Sequence, residues 1–376
     1  MSGYFQGLST VAPAVRQAFH LDLARLGLLL GTASLGLVTT LVLWGAATDR
    51  FGERRVMTTG LLGAGVALLA AGAAPSVMTV GLALFAAGAL GASVNAASGR
   101  AVMAWFSATS RGLAMGVRQT AVPLGGAAAA LVLPFVVVTR GTGAVFVVLG
   151  AASLVAGVVV AVSMAPAPES APTSRASGGS VSPLRDHRIL WLCCAGALLV
   201  VPQFTAISFL VLFLHDTRHV PAGQAAGLLA VAQFVGAGGR ILSGLWSDAV
   251  SSRLRPLRTV AGLMAIGFVS IVVLAAAPLP VLELVLVVVT GLAICWNGLA
   301  FTATAEMAAP GRSGMALGLQ NTFNYVSAAV TPAVVGALAG WSGWSVALIA
   351  VAICPVMAVI ALTHLLRLGQ EMVNRS

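Results

Sequence analysis

The chain contains no lysine, and all 20 of its basic residues are arginine. A phosphate-binding P-loop requires a lysine after its second glycine, so this sequence cannot form one. Catalysis through a lysine Schiff base is excluded for the same reason. Charged residues of both signs make up only 8% of the sequence, whereas they make up about 25% of an average soluble domain. These absences argue against nucleotide hydrolysis by this chain and against a water-soluble protein.

The cysteines also point to no particular chemistry. All four lie inside apolar runs, their spacing matches no zinc-binding pattern, and the adjacent Cys193 and Cys194 are poorly placed to form a disulfide with each other. We expect them to act as small apolar residues. No arrangement of Ser, His, Asp or Cys residues supports covalent catalysis. The sequence therefore predicts no metal, no cofactor and no enzymatic activity.

Apolar residues are abundant instead, at 59% of the chain with a mean hydropathy of +1.00. Packing in water cannot bury that much apolar surface, so lipid must be the solvent. The apolar runs are 1–18, 26–47, 56–74, 77–104, 112–138, 143–164, 189–214, 223–246, 258–277, 281–305, 313–337 and 343–366. Because a transmembrane helix needs about 20 residues, we predict an all-α membrane protein with twelve transmembrane helices in two pseudo-symmetric six-helix bundles.

The densest charge in the chain is Trp44–Arg55, a turn that joins two uncharged apolar runs. A similar turn recurs 199 positions later at Gly244–Arg253. The aligned residues are Gly45 with Gly244 and Asp49 with Asp248. Two membrane helices that meet at a tight charged turn on one membrane face account for each copy, and the recurrence indicates a duplicated chain.

A second pair of segments supports the duplication, since Ala114–Thr120 aligns with Ala316–Thr322 at an offset of 202. Residues 165–187 are rich in Pro, Ala, Ser and Gly, which is typical of a flexible linker. The sequence therefore predicts an N-terminal bundle over 1–164, a linker over 165–187 and a C-terminal bundle over 188–376. Parallel repeats of this kind place a substrate site at the interface of the two halves.

The arginines are distributed unequally between the two membrane faces. Fourteen lie on the face that holds both chain ends, and four lie on the other face. The remaining two, Arg118 and Arg240, fall inside apolar runs. By the positive-inside rule the first face is cytoplasmic, so we predict a bacterial inner-membrane protein with both termini in the cytoplasm.

The charged turn also predicts a conformational latch. A carboxylate at a helix end can bind an arginine or a helix N-terminus in one state and release it in another. The alternative is that Asp49 and Arg50 only set topology and cap helix ends. The residues expected to form the latch are Gly45, Asp49, Arg50, Gly52, Arg54, Gly244 and Asp248.

Arg118 is the strongest candidate for a substrate contact. It lies about 9 Å inside the fifth run by helical rise, and a guanidinium at mid-span costs at least ~2.5 kcal/mol without a partner or an aqueous cavity. The alternative is that its side chain extends to the membrane interface. Three groups of polar residues are expected to complete the site. They are Gln119, then Gln320 (aligned with Arg118 in the repeat) with its neighbours Asn321, Asn324 and Tyr325, and finally the aligned pair Asn95 and Asn297.

The ten acidic residues all lie in connections or near the ends of spans. A proton-coupled carrier of neutral or cationic solutes usually needs a buried carboxylate that titrates, so the distribution favours an anionic substrate that neutralises Arg118. Glu306 is expected to pair with Arg312 at the membrane surface, and Arg240 with Asp248 at the membrane edge.

The segment from Gly45 to Arg55 has the pattern GxxxDRxGxRR, which resembles the loop 2–3 signature of the major facilitator superfamily. It differs from that signature at Ala47, where the family prefers Leu, and at Glu53, where the family prefers Arg or Lys. The resemblance covers essentially the whole chain through the predicted spans, linker and second copy. It implies a secondary transporter with alternating access, in which this turn stabilises the outward-open state. The run RGLAMGVRQTAVPLGG is similar to the cyanate, nitrate and organic-anion permeases of the superfamily.

These patterns predict a secondary active transporter of a small organic or inorganic anion, coupled by proton symport or by anion exchange. The main alternative is a proton-antiport exporter of drugs or hydrophobic metabolites, since Pro123–Gly126 partly resembles the antiporter signature of fifth helices. A membrane enzyme or a receptor without transport activity is a third alternative. The expected partners are a small solute and the lipid bilayer, without nucleic acid, and the protein is expected to be a monomer.

Overall fold

The computed structural model describes residues 11–21, 23–165 and 182–375, which form helices and no strand. Most of the first apolar run and residues 166–181 of the predicted linker lie outside the described residues. The helices, numbered in chain order, are α1 (Ala12–Ala18), α2 (Leu23–Phe51), α3 (Glu53–Gly72), α4 (Val77–Trp105), α5 (Arg111–Arg140), α6 (Thr142–Ser163), α7 (His187–Arg218), α8 (Ala222–Ala249), α9 (Leu254–Val273), α10 (Leu279–Cys295), α11 (Asn297–Met307) and α12 (Ser313–Arg375).

Within the described residues, nine helical stretches are long and apolar enough to cross a membrane, judged by length and composition. The helices α1 and α5 are not among them. One stretch, Ser313–Leu368 in α12, has 56 residues, which is more than twice the length that one crossing needs. Gly343 interrupts α12 with a φ of 81°. The prediction of an all-α membrane protein is confirmed, and the count of twelve spans stays a prediction.

Local sequence signals set several of the helix ends. Gly52 alone separates α2 from α3 and has a φ of 82°, a conformation that glycine adopts without a steric penalty. Asp186 caps α7, because its carboxylate accepts a hydrogen bond from the backbone N–H of Arg188 at 2.9 Å. Burial alone would raise the pKa of Asp186, but the hydrogen bonds and the charge of Arg188 outweigh it and hold that pKa below its usual value.

The chain divides into two compact units. Unit 1 comprises Met1–Trp105, Thr120–Pro183 and Ala308–Thr322, and unit 2 comprises Phe106–Gln119, Leu184–Met307 and Phe323–Ser376. Each unit therefore includes a short segment from the other half of the sequence. The division predicted from the repeat, with bundles over 1–164 and 188–376, stays a prediction about the sequence halves.

Unit 1 packs α2, α3, α4 and α6 around a core of fully buried apolar side chains that includes Leu37, Leu68, Leu84 and Phe146. Small residues allow these helices to approach closely. A Cβ atom added to Gly150 in α6 would lie 2.9 Å from the backbone oxygen of Gly65 in α3. Close backbone approach through glycine is the usual way in which membrane helices associate.

Unit 2 packs α7 to α11 and the later part of α12 around a larger core. One of its helices is interrupted. α10 ends at Cys295 and α11 begins at Asn297, so the helix is interrupted at the fully buried Trp296. An interruption of this kind is tolerated at membrane depth only where other groups bind the exposed backbone atoms.

Candidate functional site

The carboxylate of Asp49, near the end of α2, caps the first turn of α12. It accepts hydrogen bonds from the backbone N–H groups of Gly314 and Met315, each at 2.8 Å. Nε of Arg100 lies 3.3 Å from the same carboxylate. A negative charge at a helix N-terminus is favourable because it binds unpaired N–H groups and opposes the helix dipole. All of these residues lie in unit 1.

Asp248, the repeat partner of Asp49, makes the same contacts in unit 2. Its carboxylate accepts hydrogen bonds from the backbone N–H groups of Gly112 at 3.0 Å and Leu113 at 2.9 Å, in the first turn of α5. Nη1 of Arg253 lies 2.5 Å from it. The duplication seen in the sequence is therefore a duplication of a helix cap.

Glycines allow both caps to form. Gly45 and Gly244 lie four residues before Asp49 and Asp248, on the same face of their helices. A Cβ atom on Gly314 would lie 2.6 Å from the backbone oxygen of Gly45, and one on Gly112 would lie 2.6 Å from that of Gly244. Any side chain at these positions would separate the capped helix from its aspartate.

Arginines surround the two caps in different ways. Arg100 also binds Glu53 at 2.8 Å. Arg253 binds Glu306 at 3.2 Å, and Arg111 lies 4.0 Å from Glu306. The expected pair between Glu306 and Arg312 is therefore wrong, because the carboxylate lies beside Arg111, the first residue of α5, and Arg253, which precedes α9. Burial opposes the charge on Arg253, but its bonds to Glu306 and Asp248 outweigh that effect and raise its pKa.

Two other predicted latch residues lie away from both carboxylates. The guanidinium of Arg50 stacks 5.3 Å from the ring centre of Phe51. Nε of Arg54 donates to the backbone oxygen of Ala161 in α6 at 2.9 Å. Neither arginine is a partner of Asp49 in this structure.

Arg118 lies in the second turn of α5 and is partly buried. Its Nη1 donates to Oε1 of Gln119 at 2.9 Å and lies 3.6 Å from Sδ of Met115. Tyr325 in α12 is close enough to interact with it electrostatically. Gln119 therefore holds the guanidinium that the sequence singles out.

Arg240 in α8 is a further candidate site residue, which the sequence analysis assigned to a pair with Asp248 instead. It is 5% exposed and donates from Nε to the backbone oxygen of Ile294 at 3.0 Å and from Nη1 to that of Gln119 at 2.5 Å. Its Nη2 donates to Oδ1 of Asn297 at 3.3 Å. The expected pair with Asp248 is wrong, because the partners of Arg240 among the described residues are all neutral oxygens. The sequence could have pointed to Arg240, because it is one of two arginines that lie inside apolar runs.

The remaining predicted substrate contacts are distributed over both units. Arg118, Gln119, Asn297, Asn324 and Tyr325 lie in unit 2, whereas Asn95, Gln320 and Asn321 lie in unit 1. The amide of Asn321 donates to the backbone oxygen of Leu317 at 2.8 Å, within its own helix. In unit 2, hydrogen bonds connect Arg118 through Gln119 and Arg240 to Asn297.

Gln203 is a further polar residue in unit 2. It lies in the middle of α7, directly after Pro202, and is 7% exposed. Its Oε1 atom has no hydrogen-bond partner among the described residues. A buried polar atom without a partner is unusual and requires an explanation such as a bound water or ligand.

The model of the family described as Major Facilitator Superfamily matches residues 1–329. The chain belongs to the major facilitator superfamily. Membership identifies the protein as a multi-pass membrane transporter and not an enzyme, as the sequence predicted.

Three relatives within the superfamily are informative. An uncharacterized MFS-type transporter of Mycobacterium tuberculosis is 34% identical over 95% of this chain and 80% of its own length. A 3-(3-hydroxy-phenyl)propionate transporter of Escherichia coli is 30% identical over 70% of this chain and 67% of its own. A probable sulfoacetate transporter of Cupriavidus necator is 27% identical over 68% of this chain and 63% of its own. The predicted similarity to organic-anion permeases agrees with these two names.

The fold also matches solved structures of the superfamily. The Escherichia coli fucose:proton symporter FucP superposes with a TM-score of 0.78 over 97% of this chain and 95% of its own. The sequences are only 16% identical, so the likeness concerns the fold alone.

Proposed function

We propose that this protein is a secondary active transporter of a small organic anion and that Arg118 binds the anion. The observation that carries the proposal is a pair of guanidinium groups in unit 2, one partly buried and one buried, since Arg118 and Arg240 both bind Gln119. Gln119, Asn324 and Tyr325 of that unit, with Gln320 and Asn321 and the pair Asn95 and Asn297, are the proposed polar contacts.

The electrostatic argument starts from Arg240. It is buried, and its partners among the described residues are two backbone oxygens and one amide oxygen. A buried positive charge that is bound only by neutral groups is costly. The acidic residues of the sequence lie in connections or near span ends. A substrate that carries negative charge would supply the compensation which Arg240 does not receive from the described residues.

The relatives support the anionic class. Sulfoacetate carries a sulfonate and a carboxylate, and 3-(3-hydroxyphenyl)propionate carries a carboxylate. A planar guanidinium binds either group through two parallel N–H donors. Arginine is therefore the side chain that this substrate class would require.

The proposed architecture has twelve spans in two six-helix bundles. In it α12 crosses the membrane once before Gly343 and once after it. The proposed location is the bacterial inner membrane with both termini in the cytoplasm, which the excess of arginine on one face supports. The proposed coupling is proton symport or anion exchange. The protein is proposed to alternate between inward-facing and outward-facing states by movement of one bundle against the other.

The two helix caps are the proposed latch of that cycle. Asp49 and Asp248 each bind the first turn of a helix from the other half of the sequence. Release of both caps would free the first turns of α5 and α12 together. The latch therefore comprises Asp49 and Asp248 with Gly45 and Gly244, while Arg100 and Arg253 support the aspartates.

Uptake of radiolabelled sulfoacetate and 3-(3-hydroxyphenyl)propionate into proteoliposomes, with and without a pH gradient, tests the proposal. Wild-type protein should transport at least one anion, and Arg118→Gln should abolish that uptake while the protein stays folded. Arg140→Gln is the matched control, because Arg140 is an exposed arginine at the other end of α5. Transport of neither anion, or wild-type uptake by Arg118→Gln, would contradict the proposal. Export of lipophilic compounds with no dependence on Arg118 would favour the drug exporter.

A further inference from the structure

Two helices that contribute residues to unit 2 each have a backbone oxygen without its usual helical donor, and one side chain binds both oxygens. In α5, the backbone oxygen of Gln119 would normally accept a hydrogen bond from the N–H of residue 123. That residue is Pro123, which has no N–H. In the other helix, the interruption at Trp296 follows the backbone oxygens of Ile294 and Cys295.

Arg240 binds an oxygen at each interruption. Its Nη1 donates to the Gln119 oxygen at 2.5 Å and its Nε donates to the Ile294 oxygen at 3.0 Å. Ser243, one turn further along α8, donates to the Cys295 oxygen at 3.0 Å. Arg240 also donates to Oδ1 of Asn297, the first residue of α11. One guanidinium therefore joins α5, α8 and the break between α10 and α11.

The Gln119 contact gives this arrangement a functional consequence. Gln119 is bound at its backbone by Arg240, and its side chain accepts the hydrogen bond of Arg118. We infer that Arg240 is a positioning residue which holds the backbone oxygen of Gln119 and thereby orients Arg118 toward its anionic substrate. This inference rests on the proposed function only in naming the ligand of Arg118.

An arginine is needed for this role because three oxygens from three segments are bound at once. Its guanidinium presents five N–H groups in a rigid plane, and three of them are used here. A lysine would keep the positive charge but has a compact head group on a flexible stem. The Arg240→Lys variant therefore separates the effect of charge from the effect of geometry.

The test is a set of variants measured for KM and maximal rate of sulfoacetate and 3-(3-hydroxyphenyl)propionate uptake in proteoliposomes. Arg240→Lys should raise KM by about tenfold or more, as when a residue that orients a ligand-binding side chain is lost. Pro123→Ala restores the missing N–H at residue 123, so Pro123→Ala combined with Arg240→Lys should return KM to within about threefold of Pro123→Ala alone.

The chain offers a matched control for each change. Arg218 donates to the backbone oxygens of Ala275 and Ala277 at 2.7 and 2.8 Å, so Arg218→Lys alters the same kind of contact elsewhere in unit 2. Pro134 is the other proline of α5, and Pro134→Ala should not rescue Arg240→Lys. An unchanged KM in Arg240→Lys, or equal rescue by both proline variants, would overturn the inference.

The Tm of the purified protein in detergent is a second measurement, and it needs no substrate. Arg240→Lys should lower Tm, and Pro123→Ala but not Pro134→Ala should recover most of the loss. If Arg240→Lys alone cannot be purified, the Pro123→Ala combination should still fold, and its failure to fold would overturn the inference. Loss of uptake in Arg118→Gln with wild-type KM in Arg240→Lys would leave the proposed function standing and remove only the positioning role.

Discussion

Replacing Asp49 by asparagine should release the first turn of α12. The carboxylate accepts two backbone hydrogen bonds at 2.8 Å and lies 3.3 Å from Arg100. Asparagine has a similar shape but only one acceptor oxygen, and its amide group would face the second N–H. The variant therefore loses one hydrogen bond and the whole negative charge.

The magnitude follows from these contacts. A hydrogen bond to a charged group contributes about 1.5–3 kcal/mol, and a charge at a helix N-terminus contributes about 0.3–1 kcal/mol. The pair with Arg100 adds little, because that arginine is partly exposed and such pairs contribute roughly 0.2–1 kcal/mol. A total of about 2–4 kcal/mol corresponds to a shift of roughly 30-fold to 1000-fold toward the released state.

Thiol labelling measures that shift. Ala316 lies in the first turn of α12 and is fully buried, so a cysteine placed there in a variant without the four native cysteines should react with a water-soluble maleimide only after release. Asp49→Asn should accelerate labelling in membrane vesicles by the factor given above. Asp216→Asn is the control, because that carboxylate binds Trp344 and takes no part in either cap. Unchanged labelling in a folded Asp49→Asn protein would refute the latch.

Three further perturbations have defined outcomes. Gly314→Val should accelerate the same labelling, because its Cβ would lie 2.6 Å from the backbone oxygen of Gly45, whereas Gly340→Val should not, since nothing lies within 4 Å of that position. Gln203→Met should raise Tm, because a buried oxygen without a partner costs about 1–3 kcal/mol; a lower Tm would show that Oε1 is bound. The lowered pKa of Asp186 stabilises the fold above its unfolded pKa and loses that effect as pH falls through the folded pKa. Asp186→Asn should therefore lower Tm at neutral pH and flatten the acid side of the Tm profile.

The turn at Gly52 and the positions of the two aspartates could be predicted because their causes are local. Charged residues cannot continue an apolar helix through lipid, so the turn must lie where Asp49 and its neighbours interrupt the run. The spacing of four residues between Gly45 and Asp49 places both on one helix face. That an aspartate could bind a helix N-terminus was also predictable, although the identity of the helix was not.

The contacts of Arg240 and Glu306 could not be predicted from neighbouring residues. Arg240 binds backbone oxygens that lie 54 and 121 positions away in the sequence, and a backbone oxygen has no side-chain identity to search for. Glu306 was assigned to Arg312 because the two are close in sequence, whereas Arg253 reaches it from 53 positions away. The Gln119 oxygen is the one contact that the sequence could have indicated. A proline inside a helix has no N–H, so Pro123 leaves the backbone oxygen four residues before it without its usual donor.

The exchange of caps between the two halves of the sequence has a consequence for how the protein can be made. A polypeptide that ended in the linker would contain α5 but not Asp248, so the N–H groups of Gly112 and Leu113 would lack their acceptor. The complementary polypeptide would contain α12 but not Asp49, which Gly314 and Met315 bind. Each fragment therefore lacks the aspartate that caps one of its helices. Two separately encoded fragments should accumulate in the membrane only when they are synthesised together.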